Sequence, residues 1–127
     1  SMLLVNSKTA WNDYFEGTVS PNLYSQTFSS TQTLSGTNVY VSNCVFSSIT
    51  SSGHGGALSC TSASYFLVET SSFFTCKAND YGGAIYFSNS DSQSVLHEVC
   101  CYDCCSANTG YSEGQIIRIY VNNAVSS

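Results

Sequence analysis

The chain has 127 residues, 43% of them hydrophobic and only 9% charged, and it carries a formal net charge of −5. This length suits one domain, and the only basic residues, Lys8, Lys77 and Arg118, are too few to bind nucleic-acid phosphates or anionic lipid. No apolar run approaches the roughly 20 residues of a membrane span, so we expect no direct membrane insertion of this segment.

The residues between the apolar positions are mostly Ser, Thr and Asn. β-Branched and aromatic residues fit a pleated sheet, whereas Ser and Asn form turns. Alternating runs such as NVYVSNCVF, residues 38–46, have the two-residue period of strands, and no stretch has the spacing of an amphipathic helix. The sequence therefore predicts an all-β fold.

Residues 1–38 hold the only Trp, Trp11, and do not match the repeats that follow them. Terminal units of repeat proteins are usually atypical and cover the exposed backbone at the end of the stack. We therefore predict that residues 1–38 form an N-terminal cap and an irregular first coil. Trp11, Tyr14 and Phe15 are expected to close the core.

Residues 39–127 are predicted to form the repeats. Residues 39–60 align with residues 66–87 at a single offset of 27 residues. Residues 95–121 form an eroded third copy, in which CCSAN stands opposite TCKAN, and EGQII stands opposite YGGAI after a short insertion. The aligned apolar pairs of the first two copies are Val41 with Val68, Phe46 with Phe73, Ile49 with Cys76, and Leu58 with Ile85.

A repeat period of this length is the signature of stacked units. Short strands separated by Gly, Ser and Asn turns every 27 residues fit the coils of a parallel β-solenoid, here of about four to five coils. Equivalent residues of adjacent coils then lie about 4.8 Å apart, so the aligned pairs are predicted to form ladders in the interior.

Each of the first two copies contains a Gly-Gly-Ala motif followed by Leu or Ile. The glycines are predicted to turn a tight corner, and the alanines to fit where adjacent coils leave little room. The predicted corner residues are Gly55, Gly56, Ala57, Gly82, Gly83 and Ala84.

These residues resemble the polymorphic membrane protein repeats of chlamydial autotransporters and of parasitic protists, which pair Phe-x-x-Asn with Gly-Gly-Ala-(Ile/Leu/Val). GGAL and GGAI match the second motif, whereas the Asn of the first motif is replaced by Ile49 and Cys76. The Cys-rich variant looks more like the surface proteins of trichomonad parasites. The resemblance covers residues 39–121. It implies a right-handed parallel β-helix, extracellular or at the cell surface as part of a larger surface protein, with an adhesive or structural role.

The seven cysteines leave three interpretations open. Inward cysteines are small apolar fillers in one interpretation, disulfide partners in the second and metal ligands in the third. The spacing Cys101-x-x-Cys104 occurs in metal sites, but no second pair accompanies it, so we predict neither a metal nor a cofactor. Cys76 is expected to stack near Cys104 or Cys105.

No acid or histidine is predicted to be catalytic. A polysaccharide-active enzyme needs paired carboxylates at a defined separation, and the acids here are scattered. Glu69 and Glu98 are expected near equivalent places on successive coils, where they could stack on one outer face. Strand alternation predicts that Glu98 points away from His97, and His54 is predicted in a flexible turn.

Tyrosines recur along the coils, and an exposed tyrosine offers both apolar area and a hydroxyl group to a partner. The candidate contact residues are Tyr65, Tyr81, Tyr86 and Tyr102. The sequence thus favours a non-enzymatic module for adhesion or structural display that contacts a protein or a glycan at a cell surface. A polysaccharide lyase or hydrolase is the main alternative, and a subunit that self-associates end to end into filaments is a lesser one.

Overall fold

The structure is a computed structural model, and it describes residues 10–107 and 114–121. In these two ranges the chain forms one short helix, α1 (Ala10–Tyr14), and eleven strands. The strands are β1 (Leu23–Tyr24), β2 (Thr27–Phe28), β3 (Gln32–Leu34), β4 (Asn38–Ser42), β5 (Val45–Ser51), β6 (Leu58–Cys60), β7 (Tyr65–Ala78), β8 (Ile85–Ser88), β9 (Gln93–Tyr102), β10 (Cys105–Ser106) and β11 (Ile117–Tyr120).

The strands form two sheets, and every pairing between them is parallel. The seven-stranded sheet has the order β1-β4-β7-β5-β2, with β9 and β10 also paired to β7. The four-stranded sheet has the order β11-β8-β6-β3. The chain therefore alternates between the sheets, because parallel neighbours require a crossover connection. The prediction of an all-β protein is confirmed, and its strands are parallel.

The register joins residues that the sequence alignment places at equivalent positions. From β4, β5 and β6 to β7 and β8 the offset is 27 residues; from β7 to β9 it is 28, and from β8 to β11 it is 32. Ile117 pairs with Ile85, as the alignment of EGQII with YGGAI predicts. Ser106 pairs with Ala78, so the observed register is shifted by one residue from the alignment of CCSAN with TCKAN. The four interior pairs observed are Val41 with Val68, Phe46 with Phe73, Ile49 with Cys76, and Leu58 with Ile85.

Left-handed residues bend the long strands at equivalent positions. Asn43, Thr70 and Glu98 have φ values of 56°, 48° and 53° and succeed one another at the same offsets as the strand pairs. A second set, Ser48, Thr75 and Asp103, has φ values of 57°, 54° and 55°. A left-handed conformation is uncommon outside glycine, and here it recurs at two positions in each copy. Successive copies therefore bend in the same places, which keeps them in register.

Stacked aromatic rings fill the interior between the two sheets. The rings of Phe46 and Phe73 lie 4.7 Å apart with an interplanar angle of 2°. The rings of Phe66 and Phe87 lie 4.5 Å apart with an angle of 4°. All four side chains are fully buried. Burial of such large apolar side chains is the main driving force for the fold.

The two glycines of each corner have different roles. Gly55 and Gly82 have φ values of +67° and +68°, which disfavour any residue with a side chain. At Gly56 a Cβ atom would overlap the carbonyl oxygen of Gly83, and at Gly83 it would overlap the backbone of Cys105. Ala57 and Ala84 are fully buried. The second glycine of the motif therefore lies where a neighbouring backbone leaves no space for a side chain.

The helix α1 packs on the outer face of the seven-stranded sheet, which we define as the face opposite the interior. Trp11 and Phe15 form a cluster with Tyr40, Leu67 and Val95, separate from the interior cluster. The expectation that Trp11, Tyr14 and Phe15 close the core is therefore wrong. With five residues, α1 is too short to show the spacing of an amphipathic helix. Residues 23–34 of the predicted cap form β1, β2 and β3, whereas residues 1–9 lie outside the described residues.

Candidate binding site beside the helix

The outer face near α1 consists of three rows of side chains, because alternate residues of a strand share a face. The middle row is Tyr40, Leu67 and Val95, and α1 covers it. The rows on either side of it are aligned by the same register. One is Asn38, Tyr65 and Gln93, and the other is Ser42, Glu69 and His97. The helix thus separates two rows that differ in chemistry.

The row of Asn38, Tyr65 and Gln93 lines a cavity of about 510 Å³ beside α1. The other residues that line it come from α1, from the segment directly after α1 and from the position before Asn38: Trp11, Tyr14, Phe15, Glu16 and Thr37. The rings of Phe15 and Tyr65 lie 5.1 Å apart and are tilted by 57°. Tyr65 is 38% exposed, so part of its ring is open to the cavity. The site combines an aromatic ring with two amide side chains and one carboxylate.

Three polar side chains of this cavity, those of Asn38, Gln93 and Glu16, are available to a bound molecule. Within the described ranges, the side-chain amides of Asn38 and Gln93 and the carboxylate of Glu16 have no hydrogen-bond partner. An amide offers both donors and an acceptor, so each is available to a bound molecule. A cavity of this size lies within the range that small-molecule sites occupy, about 300–1,000 Å³.

Glu69, in the row on the other side of α1, is held by two hydrogen bonds. The Tyr40 hydroxyl donates to Glu69 Oε2 at 2.5 Å, and the Ser42 hydroxyl donates to the same oxygen at 2.8 Å. Burial of the phenol, strengthened by the hydrogen bond and negative charge of Glu69, raises the pKa of Tyr40 to about 12. This carboxylate is therefore already occupied by protein donors.

Glu98 lies one residue beyond the position equivalent to Glu69, so the two acids are near equivalent places but are not register partners. His97 is the register partner of Glu69. The Thr70 hydroxyl donates to Glu98 Oε1 at 3.3 Å, and that oxygen lies 3.7 Å from His97 Nε2. The prediction that Glu98 points away from His97 is wrong because the left-handed backbone at Glu98 breaks strand alternation. Neither His97 nor Glu98 lines the cavity beside α1.

A stack of rings lies at the glycine corner. His54 stacks on Tyr86 at 4.5 Å and on Tyr81 at 5.2 Å, and the guanidinium of Arg118 lies 4.7 Å from the Tyr81 ring centre. The backbone N–H of Tyr81 donates to His54 Nδ1 at 3.3 Å, so His54 is held in place. Because the ring faces cover one another, this stack stabilises the corner and presents mainly edges and hydroxyl groups outward.

The four candidate contact tyrosines do not form one surface. Tyr81 and Tyr86 lie in the corner stack, whereas Tyr65 lies in the cavity beside α1. Tyr102 is 69% exposed and pairs in register with Phe74, which is 38% exposed. Phe74 and Tyr102 therefore form a separate exposed aromatic pair, and Phe74 is a surface residue that the sequence analysis did not select.

All seven cysteines are free thiols. The Cys104 thiol donates to the backbone carbonyl oxygen of Phe73 at 3.4 Å. Cys76 and Cys104 are close enough for each to influence the other's ionisation, so Cys76 lies near Cys104 as the alignment suggests. Burial, with the neighbouring thiols as a smaller cause, raises the pKa of Cys76 and of Cys101 to about 12. No group of three or more His, Cys, Asp or Glu within residues 10–107 and 114–121 is arranged to hold a metal ion.

Sequence reasoning missed the amides of Asn38 and Gln93, the carboxylate of Glu16 and the guanidinium of Arg118. The repeat alignment began at residue 39, one position after Asn38. Extended by one residue and continued at the next offset, it would have placed Asn38, Tyr65 and Gln93 in one row. The alignment gives no such indication for Glu16, which lies outside the repeat. It gives none for Arg118 either, because this residue follows the insertion in the third copy.

One part of the chain matches a known family. Residues 43–61 match the Chlamydia polymorphic membrane protein repeat, and this segment contains Phe46, the bend at Ser48 and the first glycine corner. No curated protein and no solved structure gives a significant match. In the part of the chain that the structure describes, no helix has the length and apolar character of a membrane span. Residues 43–61 are thus similar to this repeat, which confirms the resemblance that the Gly-Gly-Ala motif indicates.

Proposed function

We propose that the two parallel sheets are faces of a right-handed β-helix with a period near 27 residues. The alternation of the chain between the sheets supports this arrangement. So does the recurrence of left-handed residues and of the glycine corner at equivalent positions. Each copy then forms one coil, and the outer face of each coil is free to vary without disturbing the interior.

We further propose that the chain is a non-enzymatic module, extracellular or at the cell surface, for adhesion or structural display. The match of residues 43–61 to a repeat of polymorphic membrane proteins carries this proposal. Exposed aromatic side chains, Tyr65, Phe74 and Tyr102, support a contact role, because Tyr and Phe contribute much of the energy of recognition surfaces. The partner is a protein or a glycan at a cell surface.

Binding of the fluorescently labelled chain to cultured cells tests the adhesive role. We expect saturable binding that unlabelled chain competes away. The double variant Phe74→Ser/Tyr102→Ser reports whether the exposed aromatic pair takes part, and Tyr24→Ser, a 60% exposed tyrosine on β1, is the matched control. Absence of saturable binding to any cell type or extracellular matrix would contradict the adhesive role.

The non-enzymatic part of the proposal has its own test. The chain is incubated with plant, microbial and host polysaccharides, and reducing ends are measured. We expect no product. Release of product, abolished by His97→Ala or Glu98→Gln, would establish the polysaccharide-active alternative, because these two side chains form an acid–histidine pair with their polar atoms 3.7 Å apart.

A further inference from the structure

We infer that the cavity beside α1 binds a neutral saccharide unit. This inference rests on the proposed binding role of the module and narrows it to one site and one class of ligand. The decisive feature is the row Asn38, Tyr65 and Gln93, in which an aromatic side chain lies between two amides on three adjacent strands.

The geometry of the row matches the two kinds of surface on a sugar ring. Adjacent parallel strands lie about 4.8 Å apart, so the two amides lie about 10 Å from one another with the phenol ring between them. A pyranose has an apolar C–H face that packs on an aromatic ring, and hydroxyl groups around its edge. Asn38 and Gln93 each offer a donor and an acceptor on either side of Tyr65, and within the described residues neither amide has a protein partner.

The other lining residues complete the recognition chemistry. Glu16 projects from the segment after α1 and lines the same cavity, where its carboxylate accepts hydrogen bonds from hydroxyl groups. Phe15 contacts Tyr65 and fixes the orientation of the ring. A sugar in this cavity therefore meets an aromatic floor, two amides at its edges and a carboxylate.

The charge of the site selects against acidic sugars. Glu16 is the only charged side chain among the described residues that line the cavity, and the chain as a whole carries a net charge of −5. The two basic residues that the structure describes lie elsewhere: Lys77 pairs with Cys105, and Arg118 covers Tyr81. Sialic acids, uronic acids and sulfated sugars would meet Glu16 without a compensating cation.

Titration of the chain with methyl glycosides of glucose, galactose, mannose and N-acetylglucosamine tests the inference. Trp11 is the only tryptophan and lines the cavity, so its fluorescence reports occupancy directly. We expect at least one of these neutral glycosides to bind with a millimolar Kd or tighter, and glucuronic acid and sialyllactose to bind more weakly.

The double variant Asn38→Ala/Gln93→Ala is expected to weaken binding by at least about tenfold, the effect of losing two hydrogen bonds. Because both side chains lie at the surface, the variant should have the same free energy of unfolding as the native chain. The matched control, Gln26→Ala/Asn79→Ala, also removes one glutamine and one asparagine side chain, but from exposed positions outside the cavity. It should leave saccharide binding unchanged.

Three outcomes would overturn the inference: no neutral glycoside binds, the cavity variant binds as tightly as the native chain, or acidic sugars bind more tightly than neutral ones. The adhesive role fails separately. Cell binding that persists in Asn38→Ala/Gln93→Ala would leave the module adhesive through another surface. Saccharide binding without cell binding would keep the site and reject the adhesive role.

Discussion

The interior and the outer cluster beneath α1 are both aromatic, yet they are packed by different rules. In the interior, the Phe46–Phe73 and Phe66–Phe87 rings are parallel to within a few degrees. Beneath α1, Trp11 is tilted by 58° from Phe15 and by 43° from Tyr40. Phe46 and Phe73 stack because they are register partners on the adjacent strands β5 and β7. Phe66 and Phe87 stack across the two sheets. Trp11 and Phe15, by contrast, belong to a segment outside the repeat. The repeat therefore builds the core, and a unique segment builds the site.

The strongest test of this difference compares two neighbouring phenylalanines on β7. Phe73 is fully buried in the interior, whereas Phe74 faces outward. We expect Phe73→Ala to lower the free energy of unfolding by about 3–5 kcal/mol, because it removes a ring from a close-packed ladder. Phe74→Ala should change it by about 0.5 kcal/mol or less. Urea unfolding measures both, and equal losses would contradict the assignment of faces.

The glycine corner gives the next largest effect. Gly83→Ala should destabilise the chain by about 3 kcal/mol, the upper end of the range for overpacking, because the new Cβ meets the Cys105 backbone rather than a movable side chain. Gly53→Ala is the control, since no atom lies within 4 Å of its Cβ and its φ is not positive. Thermal unfolding of the two variants should differ clearly; similar midpoints would show that adjacent backbones are not in close contact at Gly83.

Removal of Trp11 should have a smaller and more local effect. We expect Trp11→Ala to lower the free energy of unfolding by about 2 kcal/mol. The effect is limited because α1 can detach from the sheet while the rest of the fold stays intact. The indole N–H is also buried without a hydrogen-bond partner in the described residues, and removing it offsets part of the lost packing. Hydrogen exchange should show faster exchange around α1 and unchanged protection of β7. Loss of protection in β7 as well would mean that the outer cluster supports the core.

The Tyr40–Glu69 hydrogen bond predicts a dependence of stability on pH. The pKa of Tyr40 is raised from about 10 in the unfolded chain to about 12, so the folded state binds this proton more tightly. Its contribution is complete below pH 10 and is lost as the pH rises through about 12. Tyr40→Phe should cost about 1 kcal/mol at neutral pH and flatten this alkaline decline. An identical decline in both proteins would show that Tyr40 is not the group responsible.

The thiols give the smallest effect on stability and a clear effect on reactivity. Cys100 is exposed, Cys76 is buried and Cys101 is half-buried. The thiols of Cys76 and Cys101 have a pKa of about 12 and stay protonated at neutral pH. Because the thiolate is the reactive form, we expect an alkylating reagent to modify Cys100 long before these two. Peptide mass spectrometry over a time course measures the order, with the unfolded chain as the reference for equal reactivity.

The sequence predicts the parts of the fold in which the two copies carry similar residues. Phe46 and Phe73, or Leu58 and Ile85, are recognisable at one offset because the interior requires apolar groups at the same place in each copy. Left-handed bends are harder to recognise, since Thr70 and Glu98 rarely adopt this conformation and give no signal. The site could not be predicted, because α1 is too short to show a periodic pattern in the sequence. The position of α1 on the sheet also depends on which row of outer-face side chains is apolar.

The position of α1 is the point on which both the site and the contrast with the interior depend. Nuclear Overhauser effects between the Trp11 indole and methyl groups, measured on methyl-labelled chain, test it most directly. We expect contacts from Trp11 to the methyl groups of Leu67 and Val95, its neighbours in the outer cluster. Contacts to Val41 or Val68 instead would place Trp11 against the interior as a cap, and the cavity beside α1 would not exist.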